Sequence, residues 1–267
     1  MPLPDPSRLV AEARAATADA ALAARCLPLL DLTSLTGEET EADIAALCRR
    51  AVAHRVAAVC IYPAHLATAR PLLAGTGIRL AAVANFPAGG DDLLAVADEV
   101  ASAVADGADE VDIVAPLAAI QSGDVGMVGE MVELARQAAG GGTTLKLILE
   151  TGVLADPAII AAAARAAVMA GGDFLKTSTG KAPVGATLEA ASILLTVIAE
   201  ADGRVGFKAA GGIRTAADAA GYLHLADAIL GPDWVGPRRF RFGASGLLDD
   251  LLRMMGRGGA PSAGGGY

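Results

Sequence analysis

The feature that most restricts this chain is a recurrence. Short apolar runs of strand character return at Leu27–Leu32, Ala57–Tyr62, Arg79–Ala84, Glu110–Val114, Leu145–Glu150, Asp173–Lys176, Arg204–Ala209 and Arg239–Gly243. Each is separated from the next by a segment with helical periodicity, an alternation that favours parallel strands joined by helical crossovers over tight hairpins. Eight such units of about 30 residues favour a closed single-domain (β/α)8 barrel, the TIM-barrel architecture, over an open doubly wound sheet with the same alternation. The length of 267 residues suits one barrel of about 250, and an apolar content of 54% is enough to fill its core.

The helical segments carry their own signals. Between Asp91 and Ala105, Leu93, Val96, Val100 and Val104 fall on one face; Asp91 or Asp92 is placed to cap the helix, and Gly107 to end it. Val104-Ala-Asp-Gly-Ala-Asp-Glu-Val-Asp-Ile and Val168-Met-Ala-Gly-Gly-Asp-Phe-Leu-Lys-Thr repeat the same step, from helix end through glycine into a strand. Residues 1–25 read as a helical extension before the barrel and the glycine-rich stretch 256–267 as a flexible tail, with no Pro- or Ser-rich linker between 26 and 250.

Charge and composition exclude several functions. A net charge of −9 and the absence of any long basic run argue against a nucleic-acid surface, so an anionic substrate needs a local site. The longest charge-free run, Val56–Ala69, is shorter than the roughly 18 apolar residues of a membrane helix. Asp5, Glu12 and Asp19 interrupt the basic character of a targeting leader. The three cysteines, Cys26, Cys48 and Cys60, suit reduced thiols, and His54, His65 and His224 lack metal-ligand spacing. A cytoplasmic protein is expected; the oligomeric state is left open, with a homodimer among the assemblies allowed.

In a barrel, chemistry gathers where strands end. Lysine is scarce here: four residues, Lys146, Lys176, Lys181 and Lys208, against 17 arginines. Arginine cannot shed its proton in a protein, whereas a desolvated lysine can, and only a neutral amine attacks a carbonyl. Lys176 and Lys208 are 32 residues apart, one βα unit, which puts them on adjacent strands six and seven. An isolated lysine is neutral in only about one molecule in two or three thousand at pH 7, so a second cation nearby would raise the reactive fraction. The alternative is that both amines are paired with carboxylates in the barrel interior. Asp112, opposite in facing to Val111 and Ile113, is the carboxylate suited to proton transfer, or to a structural salt bridge with Lys208. Asp31 and Thr33 end the first strand, Cys60 the second and Glu150 the fifth; for Cys60 a buried structural thiol is the simpler state.

Three late loops expose small residues: Thr177-Ser-Thr-Gly-Lys181 after Lys176, Gly211-Gly212 after Lys208, and Gly243-Ala-Ser245-Gly246 after strand eight. Glycine lets backbone N–H groups approach an oxyanion, hydroxyls add donors, and Lys181 adds charge, so a phosphorylated substrate follows.

These residues resemble the deoxyribose-phosphate aldolase family in Asp31-Leu-Thr, Val59-Cys-Ile-Tyr-Pro, Asn85-Phe-Pro, Glu110-Val-Asp-Ile-Val, Phe174-Leu-Lys-Thr-Ser-Thr-Gly-Lys, Lys208-Ala-Ala-Gly-Gly-Ile-Arg and Arg241-Phe-Gly-Ala-Ser, over about residues 26–255. The resemblance implies reversible cleavage of 2-deoxy-D-ribose 5-phosphate to D-glyceraldehyde 3-phosphate and acetaldehyde, without metal or organic cofactor. It makes Lys176 the imine-forming lysine, Lys208 the neighbour that lowers its pKa and Asp112 the proton-transfer group. Thr179, Gly180, Lys181, Gly211, Gly212, Gly243 and Ser245 match substrate and phosphate positions, and Asp31, Thr33, Cys60 and Lys146 complete the expected pocket. Gly246 departs from members that carry a second serine there. The chain ends in Tyr267, which matches the terminal tyrosine that assists proton transfer in long-form members.

Two rivals use the same features. Another lysine-imine barrel aldolase would take a larger donor than acetaldehyde. A non-catalytic sugar-phosphate binding barrel would keep the glycine loops but has no need of paired lysines.

Overall fold

The computed structural model describes residues 5–257. Two short helices, α1 (Pro6–Arg14) and α2 (Ala20–Cys26), precede strand β1 (Leu30–Thr33). There follow α3 (Glu41–His54), β2 (Ala58–Ile61), α4 (Leu66–Leu73), β3 (Arg79–Ala84), α5 (Leu93–Ala105) and β4 (Glu110–Val114). Next come α6 (Leu117–Gln121), α7 (Gly126–Ala139), β5 (Thr144–Ile148), α8 (Thr151–Leu154), α9 (Pro157–Met169) and β6 (Phe174–Lys176). The chain then runs through α10 (Leu188–Glu200), β7 (Gly206–Ala210), α11 (Ala216–Leu230), β8 (Phe240–Ala244) and α12 (Leu247–Met254). Every strand is parallel to its neighbours, and β8 pairs with β1 (Leu30 beside Phe242), so the sheet closes as the eightfold recurrence requires. The open doubly wound alternative is thereby excluded.

Local chemistry fixes the helix boundaries. Asp92 accepts the Ala95 N–H at 3.1 Å and starts α5, while Gly107, at φ +97°, turns the chain toward β4. Thr40 with Asp43, and Thr215 with Asp218, form reciprocal capping boxes at the starts of α3 and α11. The N-terminal extension forms two helices rather than one. Asp19 breaks it, because its side chain takes the Leu22 N–H at 2.8 Å and begins a second helix. β1 also starts later than its apolar run, since Pro28 sits at the first turn of a 3₁₀ segment, Leu27–Leu29. Among the described residues, no helix is long and apolar enough to cross a membrane.

Side chains alternate across the strands, and the barrel wall sorts them. Leu32, Val59, Ile61, Val111, Leu147 and Phe242 face outward and join the buried faces of the helices in one continuous apolar core. The opposite set turns into the barrel. It includes a small apolar group on β2 and β3, Cys60, Ala81 and Val83, and a larger set of charged residues. Near the lower end of the interior lies Phe174, 4% exposed, with the Arg241 guanidinium 5.7 Å from its ring centroid.

Gly206, on the neighbouring strand, gives that ring its place, because a Cβ there would come within 2.5 Å of it. Gly206→Ala is therefore expected to lower unfolding free energy by about 1–3 kcal/mol through overpacking. Urea denaturation checks this, and an unchanged midpoint would show that the ring has room to move aside.

Candidate active site

Sequence parity and strand register together bring seven charged side chains into the barrel. Glu110 and Asp112 are two residues apart on β4 and share a face; Asp112 pairs in register with Lys146, Lys176 with Lys208, and Lys208 with Arg241. Asp31 enters from β1, which lies against β8. Side chains from strands on opposite walls can therefore meet across the axis.

They meet on shared carboxylates. Asp112 is fully buried; its Oδ1 accepts from Lys146 Nζ at 2.6 Å, and its Oδ2 accepts from Lys176 Nζ at 2.8 Å and Lys208 Nζ at 2.7 Å. Asp31 Oδ2 accepts from Lys208 at 2.5 Å, while its Oδ1 accepts from Arg241. Glu110 bridges Arg241, at 2.9 Å, and Lys146, at 2.6 Å. Four cations, Lys146, Lys176, Lys208 and Arg241, thus share three carboxylates, Asp31, Glu110 and Asp112. With every lysine protonated, this ion-paired cluster carries one positive charge in excess, in surroundings that solvate charge poorly.

The excess is relieved most readily at Lys176. Burial pushes its pKa down, the adjacent Lys208 charge adds to that, and Asp112 only partly opposes them. Lys208 moves the other way: although burial disfavours its charge, Asp112 and Asp31 together hold it well above the ordinary lysine value. Lys146 is likewise raised against burial, by Asp112 and Glu110. Burial acts to raise the Asp112 pKa, but the three lysines outweigh it and hold the carboxyl well below its ordinary value. Lys176 is thus the one lysine of the cluster displaced toward neutrality, beside a permanently ionised carboxylate and a firmly protonated neighbour. Cys60 donates to Asp112 Oδ2 across 3.9 Å, and burial raises its thiol pKa. That is the state of a structural thiol.

Above Lys176 the chain turns into the late loops. Thr177 donates to the Ala210 carbonyl at 3.1 Å and accepts the Ala210 N–H at 3.0 Å, which ties the ends of β6 and β7 together. Glu150, in a left-handed conformation just past β5, accepts from the Thr179 N–H at 3.1 Å and from the Thr179 hydroxyl, and Thr179 in turn accepts the Lys181 N–H at 3.0 Å. The β6–α10 loop also lies directly on the β7–α11 loop. A Cβ at Gly185 would strike the Gly211 carbonyl at 2.5 Å, so this approach of backbone to backbone requires glycine. Gly212, at φ +84°, faces open space, as does Gly246, whereas Ser245 is half-buried.

The predicted residues therefore fall at two depths. Lys176 and Lys208 both meet Asp112 at the heart of the barrel. Thr179, Gly180, Lys181, Gly211, Gly212 and Ser245 belong to the three loops beyond the ends of β6, β7 and β8. Asp31 and Lys146, expected as pocket contacts, are fully buried and engaged by other charges, and Thr33 donates to the Asp31 carbonyl at 2.8 Å. Gly243 makes room for Lys208, whose Cε lies 2.9 Å from where a Cβ would be. Tyr267 lies outside the described residues. Glu110 and Arg241 were missed as site members, although Glu110 shares the parity of Asp112 and Arg241 lies in the eighth predicted strand. Among the described residues, no cluster of three or more His, Cys, Asp and Glu is disposed to hold a metal ion.

The chain as a whole is similar to known proteins. Residues 25–251 match the family model described as DeoC/LacD family aldolase. A provisionally named deoxyribose-phosphate aldolase from Toxoplasma gondii is 26% identical, with a TM-score of 0.83 over 90% of this chain and 96% of its own. A similarly named protein from Coccidioides immitis is 26% identical, at TM-score 0.79 over 93% and 96%. The tetrameric deoxyribose phosphate aldolase from Aeropyrum pernix is 25% identical, at TM-score 0.72 over 93% and 97%. With the family model covering nearly the whole barrel, this chain belongs to the DeoC/LacD family of aldolases.

Proposed function

We propose that this enzyme reversibly cleaves 2-deoxy-D-ribose 5-phosphate to D-glyceraldehyde 3-phosphate and acetaldehyde through an imine on Lys176. The observation that carries this reading is the Lys176 amine, driven toward its neutral form by burial and by Lys208 while hydrogen-bonded to Asp112. Neighbours named for the same activity support the choice of substrate.

Neutral Lys176 Nζ attacks the aldehyde carbon of the open-chain sugar, and the carbinolamine loses water to give a protonated imine. The C3 hydroxyl then gives up a proton, the C2–C3 bonding pair moves into the C1–C2 bond, and glyceraldehyde 3-phosphate departs. The resulting enamine takes a proton at C2, and hydrolysis of the imine returns acetaldehyde and the free amine. Asp112 already accepts from Lys176 and Lys208 on one oxygen, so protons entering or leaving the site have a hydrogen-bonded path through it. Lys208 stays charged and holds Lys176 reactive.

The phosphate is assigned to the loops that follow β6, β7 and β8. There the Gly180, Gly211 and Gly212 backbone, with Thr179, Lys181 and Ser245, supplies donors and charge. Glu150 supports this end by fixing Thr179. At Gly246, phosphate binding relies on the backbone N–H in place of a side-chain hydroxyl. The same reading gives Tyr267 the protonation of the enamine carbon.

Borohydride reduction in the presence of acetaldehyde, followed by peptide mass mapping, is expected to leave the ethyl adduct on Lys176. Lys176→Arg is expected to lower the cleavage rate by about a thousandfold or more in a folded protein. An adduct on another residue, or cleavage at the original rate in that variant, would overturn the assignment. Deletion of Tyr267 is expected to slow hydrogen exchange at the acetaldehyde methyl group while imine trapping persists; equal exchange rates with and without it would remove its role.

A further inference from the structure

Arg241 and Glu110 form the end of the charge cluster that makes no direct contact with Lys176, and both are fully engaged in ion pairs. Arg241 is 5% exposed and Glu110 2%, and both belong to the interior set. Arg241 donates to Asp31 and Glu110 and, through Nε, to the Pro237 carbonyl. Asp31 passes this connection up to Lys208, Glu110 passes it to Lys146, and both lysines end on Asp112, the acceptor of Lys176. Two ion-paired routes therefore link Arg241 to the reactive amine.

We infer that Arg241 and Glu110 are positioning residues that act through these routes to set how readily Lys176 gives up its proton. This rests on the imine assignment above and adds to it two buried groups that reach Lys176 only through other side chains.

The sign follows from charge counting. With Lys176 protonated, the cluster holds four cations and three carboxylates; with Lys176 neutral, three of each. Arg241, which cannot deprotonate, maintains the surplus that makes the neutral state of Lys176 the balanced one. If Arg241 is neutralised, balance is reached with Lys176 protonated, and the amine keeps its proton to higher pH. If Glu110 is neutralised, the surplus doubles, and the proton is lost at lower pH. Asp112 from β4, Lys208 from β7 and Cys60 from β2 act on Lys176 directly, Lys146 from β5 and Asp31 from β1 stand one ion pair further away, and β3 presents the apolar Ala81 and Val83. Glu150, at the end of β5, is directed to Thr179 instead.

The test is the pH dependence of imine trapping with acetaldehyde in Arg241→Gln, Glu110→Gln and the double variant. The acid limb is expected to move up by about one pH unit in Arg241→Gln and down by a similar amount in Glu110→Gln, as for one unit charge at low effective dielectric. The double variant is expected to return toward the wild-type position, and Arg241→Lys to hold it. A residue that served only to hold the fold would lower the amplitude in each variant without these opposed shifts or their cancellation. Should a variant melt too early for kinetics, ¹⁵N-lysine NMR of the remaining folded variants reads the same titration directly, since the chain has only four lysines. Shifts of the same sign in the two single variants, or no shift in either, would overturn the inference. Failure to trap any adduct on Lys176 in the wild type would instead count against the imine assignment itself.

Discussion

The structure turns on one carboxylate. Asp112 accepts hydrogen bonds from three lysine amines inside a closed barrel, whose curvature turns the inward side chains of β4, β5, β6 and β7 toward the same two oxygens. Ionised groups are excluded from protein interiors unless paired, because the interior replaces little of the hydration they lose. The pairing is therefore a condition for the fold as well as for chemistry. Removing Asp112 leaves the buried Lys176 without its carboxylate partner, while Lys146 keeps Glu110 and Lys208 keeps Asp31.

The division between lysine and arginine in this interior follows the same logic. Arginine supplies a charge that never leaves, and the guanidinium of Arg241 can engage Asp31, Glu110 and a backbone carbonyl together. Lysine supplies a charge that surroundings can withdraw. Of three amines only Lys176 is moved toward neutrality, because its partner Asp112 is shared, whereas Lys208 draws on both Asp112 and Asp31, and Lys146 on both Asp112 and Glu110. Equal residue types on neighbouring strands acquire different protonation from the number of carboxylate partners each one has.

Much of this was legible in the sequence. The eight runs gave the barrel, and the scarcity of lysine isolated the amines that matter; the parity of Glu110-Val-Asp-Ile-Val gave the inward face of Asp112. What parity could not give is depth. Asp31, Lys146 and Lys176 all sit on inward positions, but strand tilt and register decide which lie beneath the cluster and which reach its upper end, and those are tertiary quantities. Arg241 was hidden for a related reason: Arg239 and Arg241 share a parity in the eighth run, and the pattern does not say which of them is buried. The partnership of Glu150 with Thr179 joins residues 29 apart across two loop conformations, one of them left-handed, which no periodic pattern encodes.

An odd number of charges has a further consequence for how such a site can evolve. A cluster with equal cations and carboxylates would be satisfied in its fully ionised form and would leave the amine inert, whereas one with a surplus must hold some charge at a disadvantage. That disadvantage has to be offset elsewhere, and burial in the continuous apolar core between sheet and helices acts in that direction. Reactivity at Lys176 and stability of the barrel wall are thus assigned to opposite faces of the same strands. Substitutions on the outward face can adjust stability with little effect on the amine, and any change of charge on the inward face must alter both.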